Sequence, residues 1–325
     1  MSMIDPSQNN PLVTVVIAAW NAEETIIRAI DSAMSQTVPV EVIVVDDRST
    51  DNTRALAEAR AKDDPRLTVL CQPENGGPSA ARNRAIAAGR APWIAVLDSD
   101  DWMEPDRLAR LLDLAARHGA DFMADDLWKL DVGAPEATRR PMLGDVTGTI
   151  PVNSADFVAS NLSAGHGGRR EMGFVKPLMS RSFLDRHGLN YDPNVRLGED
   201  YVFYMQALLE GAVFLLTGPT GYVATVRPNS LSGRHPTEAH AHLVAADRAL
   251  LARKDLSADT RRALEAHMME QYKKWAWRKL IDAVRDADPV AALRCFWAPP
   301  QVTVDLFGRL IREALVRARR RTGAG

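Results

Sequence analysis

Short apolar segments alternate with helix-forming segments through the first part of the chain, and this alternation limits the possible folds more than any other feature. The apolar segments lie at residues 12–19, 40–45, 67–71, 93–97 and 120–124. The segments between them have helical apolar spacing, or begin with proline and end with glycine. Strands that alternate with helices in this way form a mainly parallel sheet with helices on both faces. We therefore predict an α/β fold.

The alternation weakens between residues 127 and 172, where glycine and proline recur. We expect an irregular insertion there, of the kind that often lies beside a functional site. Strand and helix patterns return from residue 174, and after residue 235 the sequence has only helical patterns. The sequence therefore predicts a domain boundary near residue 235, with a helical region at residues 236–325.

Composition excludes several classes of protein. The chain has 325 residues, 46% apolar and 25% charged, as is ordinary for a globular protein, and its net charge of −2 does not indicate a nucleic-acid partner. Its two cysteines, Cys71 and Cys295, do not indicate a disulfide framework or a zinc site. Residues 1–11 lack the apolar core of a signal peptide, and no segment has the length of a membrane span. We expect a cytoplasmic protein.

Three carboxylates follow the apolar segment at residues 93–97: Asp98, Asp100 and Asp101. Acidic groups at the end of a buried strand are costly unless a positive charge lies nearby. If the segment is extended, Asp98 and Asp100 face one ligand, and their oxygens suit Mg²⁺ or Mn²⁺. The alternative is an acidic turn before the helix that Pro105 begins. Three carboxylates after a fully apolar strand favour ligand binding.

Two more acidic sites repeat this pattern. Asp46 and Asp47 follow the strand at residues 40–45, and the carboxyl ends of parallel strands meet at one crevice. Residues 49–51 are more typical of a helix cap. Glu199 and Asp200 follow Gly198 at the start of a predicted helix, where carboxylates are also stabilised by the helix dipole alone.

Combined, these segments make the chain similar to the family 2 glycosyltransferases, which have the GT-A fold. The matching segments are VVIAAWN (15–21), SQT (35–37), VVDDRSTD (44–51), NGGPSAARN (75–83), LDSDD (97–101) followed by PD (105–106), and GED (198–200). They occur in the family's order and cover about residues 12–232. Arg48 stands where the family usually has a small residue. The resemblance implies a GT-A nucleotide-diphospho-sugar transferase fold, with a nucleotide-binding half at residues 12–126 and an acceptor-side half at residues 127–235.

The resemblance implies a set of residues that bind the donor: Ala18, Trp20, Asn21, Asp46, Asp47, Arg82, Asp98, Arg227 and His235. Asp47 would accept a hydrogen bond from N3–H of uracil, and Asp46 would support its loop. Trp20 would stack on the base, unless it is an aromatic residue of the core. Asp98 would bind the ribose, and Asp100 together with Asp98 would hold the Mg²⁺ or Mn²⁺ that bridges the diphosphate.

Three cationic residues have two interpretations each. Arg82 would contact phosphate, or would lie on the exposed face of a helix. Arg227 and His235 belong to a basic segment that would close over the donor, or would form an ordinary loop.

The implied reaction transfers a hexose from a nucleotide sugar with inversion. Asp200 would be the general base, and Glu199 would support it or hold the acceptor. The donor would be a UDP-hexose, with UDP-glucose the first candidate and a β-linkage the product. The acceptor would be a glycan or lipid-linked glycan, as in the bacterial branch that builds exopolysaccharide repeat units.

Two alternatives stay open. A nucleotidyltransferase that makes sugar nucleotides would need a glycine-rich loop near its N-terminus, and residues 13–21 contain no glycine. A non-catalytic module that binds nucleotide sugars would be expected to lack the base at Asp200.

The C-terminal segment is basic and amphipathic. Residues 309–321 contain six arginines and one glutamate, with Leu310, Ile311, Ala314, Leu315 and Ala318 at roughly helical spacing. Such a helix can lie on an anionic membrane surface. The alternative is a helix that packs on the catalytic domain or a partner. We expect a cytoplasmic protein that is peripheral at the inner face of the cell membrane.

Overall fold

The computed structural model describes residues 10–144, 146–163, 171–226 and 236–322, with side chains up to residue 316. The chain divides into two compact units, Met1–Ser230 and Leu231–Gly325.

Strands and helices alternate in the first unit as predicted, with additional short elements. Its strands are β1 Val13–Ala19, β2 Val40–Asp46, β3 Leu67–Cys71, β4 Trp93–Val96, β5 Trp102–Met103, β6 Phe122–Asp125, β7 Trp128–Asp131, β8 Arg140–Pro141, β9 Thr149–Pro151, β10 Leu178–Ser180, β11 Phe214–Thr217 and β12 Tyr222–Val226. Its helices are α1 Ile26–Met34, α2 Thr53–Ala61, α3 Gly77–Ala88, α4 Arg107–His118, α5 Ser154–Ser160, α6 Arg181–His187 and α7 Glu199–Leu209.

The main sheet has eight strands in the order β3-β2-β1-β4-β10-β6-β11-β9. Strands β3, β2, β1 and β4 are parallel, so their carboxyl ends lie at one edge. Strand β10 is antiparallel to both of its neighbours, β4 and β6. The residues just before β10 therefore lie beside the residues just after β4, at the edge where the acidic residues gather.

The expectation of an irregular segment at residues 127–172 is wrong for part of that range. Strands β7 and β8 join β5 and β12 in a second sheet, in the order β5-β12-β7-β8. Strand β9 forms the edge of the main sheet, and α5 follows it. These strands have only two to four residues each, so their apolar pattern is too short to separate from that of a loop.

The core of the first unit lies between the main sheet and its helices. Four valine or isoleucine side chains of β1 are fully buried, because a central parallel strand is covered on both faces. Helix α1 turns one apolar face to this sheet, with Ile26, Ala29, Ile30, Ala33 and Met34 buried. This packing holds the carboxyl ends of β1, β2 and β4 in a rigid frame.

The second unit is helical, with α8 Thr237–Leu251, α9 Ala258–Arg285, α10 Pro289–Arg294 and α11 Pro300–Thr322. Its small core joins Ala276, Leu280, Cys295, Val302 and Leu306. No helix in the described part of the chain combines the length and the apolar character that crossing a membrane requires.

Candidate active site

The loops after β1 and β2 are tied together by Asn21. Its backbone has a positive φ of 48°, which asparagine tolerates better than most residues. Its side-chain oxygen accepts from the backbone amide of Thr50 at 2.8 Å, and its backbone amide donates to Ser49 Oγ at 3.0 Å. Ala18 is half-buried next to this junction. Trp20 is 44% exposed, so the core alternative for this residue is wrong and stacking on a base stays a prediction.

Asp47 caps the amino end of α3. Its two carboxylate oxygens accept from the amides of Gly76 and Gly77, each at 2.8 Å. Gly77 has a φ of 81°, which favours glycine there. Burial raises the pKa of Asp47, although the two amide bonds oppose that rise. Asp46 accepts from the Ser49 amide at 3.2 Å, the contact expected of a residue that supports the loop.

The expected extended geometry of Asp98 and Asp100 is wrong. Strand β4 ends at Val96, and the Asp101 amide donates to the Asp98 carbonyl at 3.0 Å, which closes a tight turn. Arg28 secures the tip of this turn by donating to the Asp100 carbonyl at 2.8 Å. The direction of the two side chains therefore comes from a turn and not from strand alternation.

Asp98 and Asp200 belong to a closed ring of alternating charges, although about a hundred residues separate them. Arg82 donates to Asp98 Oδ1 at 2.8 Å and to Asp200 Oδ1 at 3.0 Å. The Lys176 ammonium lies 3.0 Å from Asp98 Oδ2 and 2.6 Å from Asp200 Oδ2. Arg82 also donates to Glu199 at 3.1 Å. Each of the two aspartates thus has one oxygen on each cation.

Charge and burial oppose one another in this ring. Burial alone would raise the pKa of Asp98, but Lys176 and Arg82 outweigh it and lower the pKa to about 2. Burial would lower the pKa of Lys176, but the charges of Asp200 and Asp98 raise it. Burial raises the pKa of Glu199, and the charge of Asp200 adds to that rise, while Arg82 opposes it. The two cations stay charged because the carboxylates surround them.

Helix α3 holds Arg82 inside the protein. Arg82 is only 4% exposed, so the alternative of an exposed helix face is wrong. Its guanidinium lies over the ring of Tyr191, 5.3 Å from the ring centre. Its ion pairs are with the carboxylates of Asp98, Glu199 and Asp200, and contact with phosphate stays a prediction.

Lys176 was not predicted from the sequence as a site residue. This residue lies just before β10, and the antiparallel pairing of Leu178 with Ala95 brings it beside the end of β4. It is 4% exposed. A buried lysine has to be paired, so a lone lysine within the apolar segment FVKPLM (174–179) was the available signal.

A wholly buried arginine fixes the backbone at Lys176. Arg107 donates to the Lys176 carbonyl at 2.6 Å and pairs with Asp125 at 2.7 Å. Thr220 donates to the same aspartate at 2.8 Å. The backbone of Lys176 is therefore anchored, while its ammonium group lies at the end of four flexible carbons.

The acidic turn is supported from the second sheet. The Tyr222 hydroxyl donates to Asp101 at 2.9 Å, and the Asp98 amide donates to this hydroxyl at 3.1 Å. The Thr225 amide donates to the other oxygen of Asp101 at 2.8 Å. Burial, then the charges of Asp98 and Asp100, raise the pKa of Asp101 well above its usual range. Both oxygens of Asp101 are thus bonded to residues of β12, and this holds the acidic turn against the second sheet.

Of the remaining predicted site residues, the structure describes two and leaves two outside the described ranges. Glu199 and Asp200 begin α7 after Gly198, as predicted. Arg227 and His235 lie outside the described residues, and their contact with the donor stays a prediction.

A divalent cation fits the acidic turn only if the substrate supplies further ligands. In the described ranges, three or more side chains of histidine, cysteine, aspartate or glutamate nowhere come together in an arrangement that could hold a metal ion. Asp100 and Asp98 carry the oxygen ligands that Mg²⁺ and Mn²⁺ prefer, and a cation would share Asp98 with Arg82 and Lys176. Mg²⁺ is usually bound by one or two carboxylates plus substrate phosphates. The residues present fit that shared arrangement.

Comparison with known proteins identifies the family. The model of Glycosyl transferase family 2 matches residues 14–161. The chain is 42% identical to the succinoglycan biosynthesis protein ExoU of Rhizobium meliloti (strain 1021) over 271 residues, 83% of this chain and 78% of ExoU. This chain belongs to glycosyl transferase family 2. The resemblance drawn from the sequence is confirmed, and the protein is a glycosyltransferase.

Solved structures confirm the GT-A fold of this family 2 member. S. aureus TarS 1-349 in complex with UDP has a TM-score of 0.59 and 18% identity, over 86% of this chain and 88% of TarS 1-349. The mannosyltransferase PcManGT from Pyrobaculum calidifontis, in complex with GDP-Man and Mn²⁺, has a TM-score of 0.55 and 17% identity, over 93% of this chain and 87% of PcManGT. At these identities the likeness concerns the fold.

Proposed function

We propose that this glycosyltransferase moves a hexose from a UDP-hexose, with UDP-glucose the first candidate donor, to a glycan acceptor with inversion at the anomeric carbon. An α-linked donor would then give a β-linked product. The observation that carries this proposal is the charged ring. It joins Asp98, in the acidic turn, to Asp200, at the start of α7, through the same two cations.

The donor half of the proposal is supported by the edge where β1, β2 and β4 end. Ligands of open α/β sheets bind outside the carboxyl ends of the strands. Asp47, Asn21 and the exposed ring of Trp20 lie in the loops that leave this edge. TarS, which shares the fold, was solved with UDP, and this favours UDP as the first nucleotide to test.

The proposed transfer is a single displacement. The acceptor oxygen forms a bond to the anomeric carbon, and the bond from that carbon to the phosphate oxygen breaks. The electron pair of the broken bond leaves on the nucleoside diphosphate, and the acceptor proton goes to Asp200. One displacement with one base gives inversion.

A divalent cation held by Asp100 and Asp98 would act as a Lewis acid that stabilises the leaving diphosphate. Mg²⁺ and Mn²⁺ are both suitable for carboxylate oxygens. The complex of PcManGT contains Mn²⁺, which makes Mn²⁺ the first ion to test.

The proposed acceptor is a lipid-linked exopolysaccharide repeat unit. ExoU is named for the biosynthesis of succinoglycan, an exopolysaccharide, and most of its length aligns with this chain. A lipid-linked acceptor would require the enzyme to work at a membrane surface. We therefore propose a cytoplasmic enzyme that is peripheral at the inner face of the cell membrane.

The test is a panel of nucleotide sugars incubated with the protein and Mn²⁺, in which slow donor hydrolysis is measured. We expect UDP-hexoses to be hydrolysed faster than GDP- and TDP-sugars, and hydrolysis to stop when EDTA replaces Mn²⁺. Equal rates with EDTA would contradict the metal role of Asp100. Hydrolysis of GDP-sugars alone would contradict the choice of uridine.

The family assignment favours glycosyl transfer over the two alternatives. A nucleotidyltransferase would join a sugar phosphate to the α-phosphorus of a nucleoside triphosphate and release inorganic diphosphate, and a non-catalytic module would bind donors without hydrolysing them. Incubation with glucose 1-phosphate and UTP tests the first alternative, because only a nucleotidyltransferase would release inorganic diphosphate from this pair.

A further inference from the structure

Both carboxylate oxygens of Asp200 are engaged by cations. Oδ1 accepts from Arg82 at 3.0 Å, and Oδ2 accepts from the Lys176 ammonium at 2.6 Å. Asp200 is also nearly buried. Each carboxylate oxygen can accept more than one hydrogen bond, but an acceptor hydroxyl has to reach Asp200 in a buried site where a cation already lies against each of its oxygens.

The two cations differ in how firmly they are held. Arg82 packs over Tyr191 and donates to three carboxylates. A planar guanidinium with several fixed partners loses many contacts if it moves. Lys176 has one compact ammonium at the end of a flexible stem, and this ammonium pairs with Asp98 and Asp200. Lys176 is therefore the cation that can change partners at lower cost.

The position of Lys176 also determines which groups its ammonium can reach. Its ammonium already lies 3.0 Å from Asp98, the residue next to the proposed diphosphate site. A diphosphate is more negative than a carboxylate and offers more acceptor oxygens. A donor bound beside Asp98 would therefore attract the ammonium away from Asp200.

We propose that Lys176 exchanges partners during the reaction cycle: it holds Asp200 in the donor-free protein and moves to the diphosphate when a nucleotide sugar binds. This inference rests on the proposed function of the site. The exchange frees Oδ2 of Asp200 for the acceptor hydroxyl only after the donor has arrived. Lys176 thereby couples donor binding to the readiness of the base.

The experiment compares the binding of UDP and of uridine by calorimetry, with Mn²⁺ present. Lys176→Met is expected to weaken UDP binding by about tenfold or more, because a charge-assisted hydrogen bond is lost. It should leave uridine binding unchanged, because uridine has no phosphate. The matched control is Lys274→Met, which removes a lysine paired with Glu270 at 2.6 Å in the second unit and should change neither affinity.

The competition itself is tested by a double-mutant cycle. Asp200→Asn alone should strengthen UDP binding, by roughly twofold to fivefold, because Lys176 is then available to the diphosphate more of the time. In the Lys176→Met background the same substitution should have no effect. A gain that persists without Lys176 would be general relief of charge repulsion and would overturn the exchange.

The double variant also keeps the test valid if Lys176→Met fails to fold. Removing one member of a buried pair leaves an uncompensated charge, whereas Lys176→Met with Asp200→Asn removes both. The double variant should still bind uridine as the wild type does, and UDP more weakly than Asp200→Asn alone. Equal UDP affinities of these two proteins would overturn the proposal.

Failure of the inference and failure of the proposed function give different results. If the wild type binds UDP and Lys176→Met binds it equally well, only the role of Lys176 is overturned. If another nucleoside diphosphate binds instead, the same comparison is made with that diphosphate and its nucleoside. A wild-type protein that binds no nucleoside diphosphate overturns both.

Discussion

At Asp200, two buried cations and the amino end of a helix meet a single carboxylate. If this carboxylate takes the acceptor proton, Asp200→Asn should lower transfer by about 10²- to 10⁴-fold, because an amide cannot act as the base. UDP binding should not weaken, since the donor does not depend on that proton transfer. The measurements are incorporation of labelled sugar into the lipid-extractable glycan fraction and calorimetry with UDP.

Glu199 gives the matched control for this prediction. It shares Arg82 with Asp200 and begins the same helix, but its ion pair is with Arg82, whereas Asp200 pairs with both Arg82 and Lys176. Glu199→Gln should reduce transfer less than Asp200→Asn. Near-normal transfer by Asp200→Asn, or a loss of UDP binding in it, would remove Asp200 from the role of base.

The sequence was most informative about acidic residues at strand ends. Asp46, Asp47 and Asp98 were predicted as ligands because a carboxylate directly after an apolar strand is unusual in a buried setting. Lys176 was not found, because its place in the site depends on the pairing of β10 with β4, which no local pattern specifies. Nor could the pattern around Arg82 tell a buried helix face from an exposed one.

Among the elements, the long strands were predicted, as were the four-residue strands β4 and β6, whereas β5, β7, β8, β9 and β10 were not. Strands β1 and β2 have seven residues each, which is enough for an apolar run to stand out. Strand β10 has three residues and lies between β4 and β6, which are distant in sequence. Its pairing is a property of the assembled sheet, and this explains why the predicted sheet lacked its antiparallel middle strand.

Glu41 on β2 connects neighbouring elements of this sheet. One of its oxygens accepts from Thr14 Oγ1 at 2.7 Å and from the amides of Arg90 and Ala91 at 2.6 Å and 2.9 Å. Burial would raise the pKa of Glu41, but these hydrogen bonds outweigh it and lower the pKa. A lowered pKa in the folded state stabilises the fold at pH values above the unfolded pKa, and the stability is lost as pH falls through the folded pKa.

Glu41→Gln should therefore reduce the free energy of unfolding at pH 7 by about 1–2 kcal/mol, which is less than the roughly 1.5–3 kcal/mol of a buried hydrogen bond to a charged group because Glu41 is only partly buried. The difference from the wild type should shrink as the pH falls below about 4, because the protonated wild-type side chain then resembles glutamine. Urea unfolding at pH 7, 5 and 3.5 measures this, with Glu58→Gln on the exposed face of α2 as the control. A difference that is the same at every pH would contradict the electrostatic explanation.

For the whole molecule, the sequence predicted a helical second region, and the structure describes α8 to α11 there. The sequence did not show which apolar residues of α11 are buried and which are exposed. Val302 and Leu306 are fully buried in the core of the second unit, whereas Phe307, Ile311 and Leu315 are 54%, 61% and 56% exposed. One stripe of apolar residues at helical spacing is compatible with either environment, so only the packed structure distinguishes them.

The exposed face of α11 is where we expect the enzyme to meet a membrane. Residues 300–322 contain six arginines against Asp305 and Glu313, a net charge of +4, and each cation near an anionic surface contributes about 1 kcal/mol. Phe307, Ile311 and Leu315 would enter the lipid interface beside them. The wild-type protein should sediment with phosphatidylglycerol vesicles at low salt and be released at high salt, because salt screens exposed charges.

The variant that tests this surface must keep Val302 and Leu306, since truncation before them would break the core of the second unit. Replacing Phe307, Ile311 and Leu315 by serine should abolish sedimentation and slow transfer to a lipid-linked acceptor, while donor hydrolysis stays intact. Serine at Val284 and Val290, which are also exposed but lie on α9 and α10, should leave sedimentation unchanged. Loss of sedimentation in both variants would show that general surface hydrophobicity is responsible. Loss of donor hydrolysis in the triple variant would show instead that this face of α11 supports the catalytic unit.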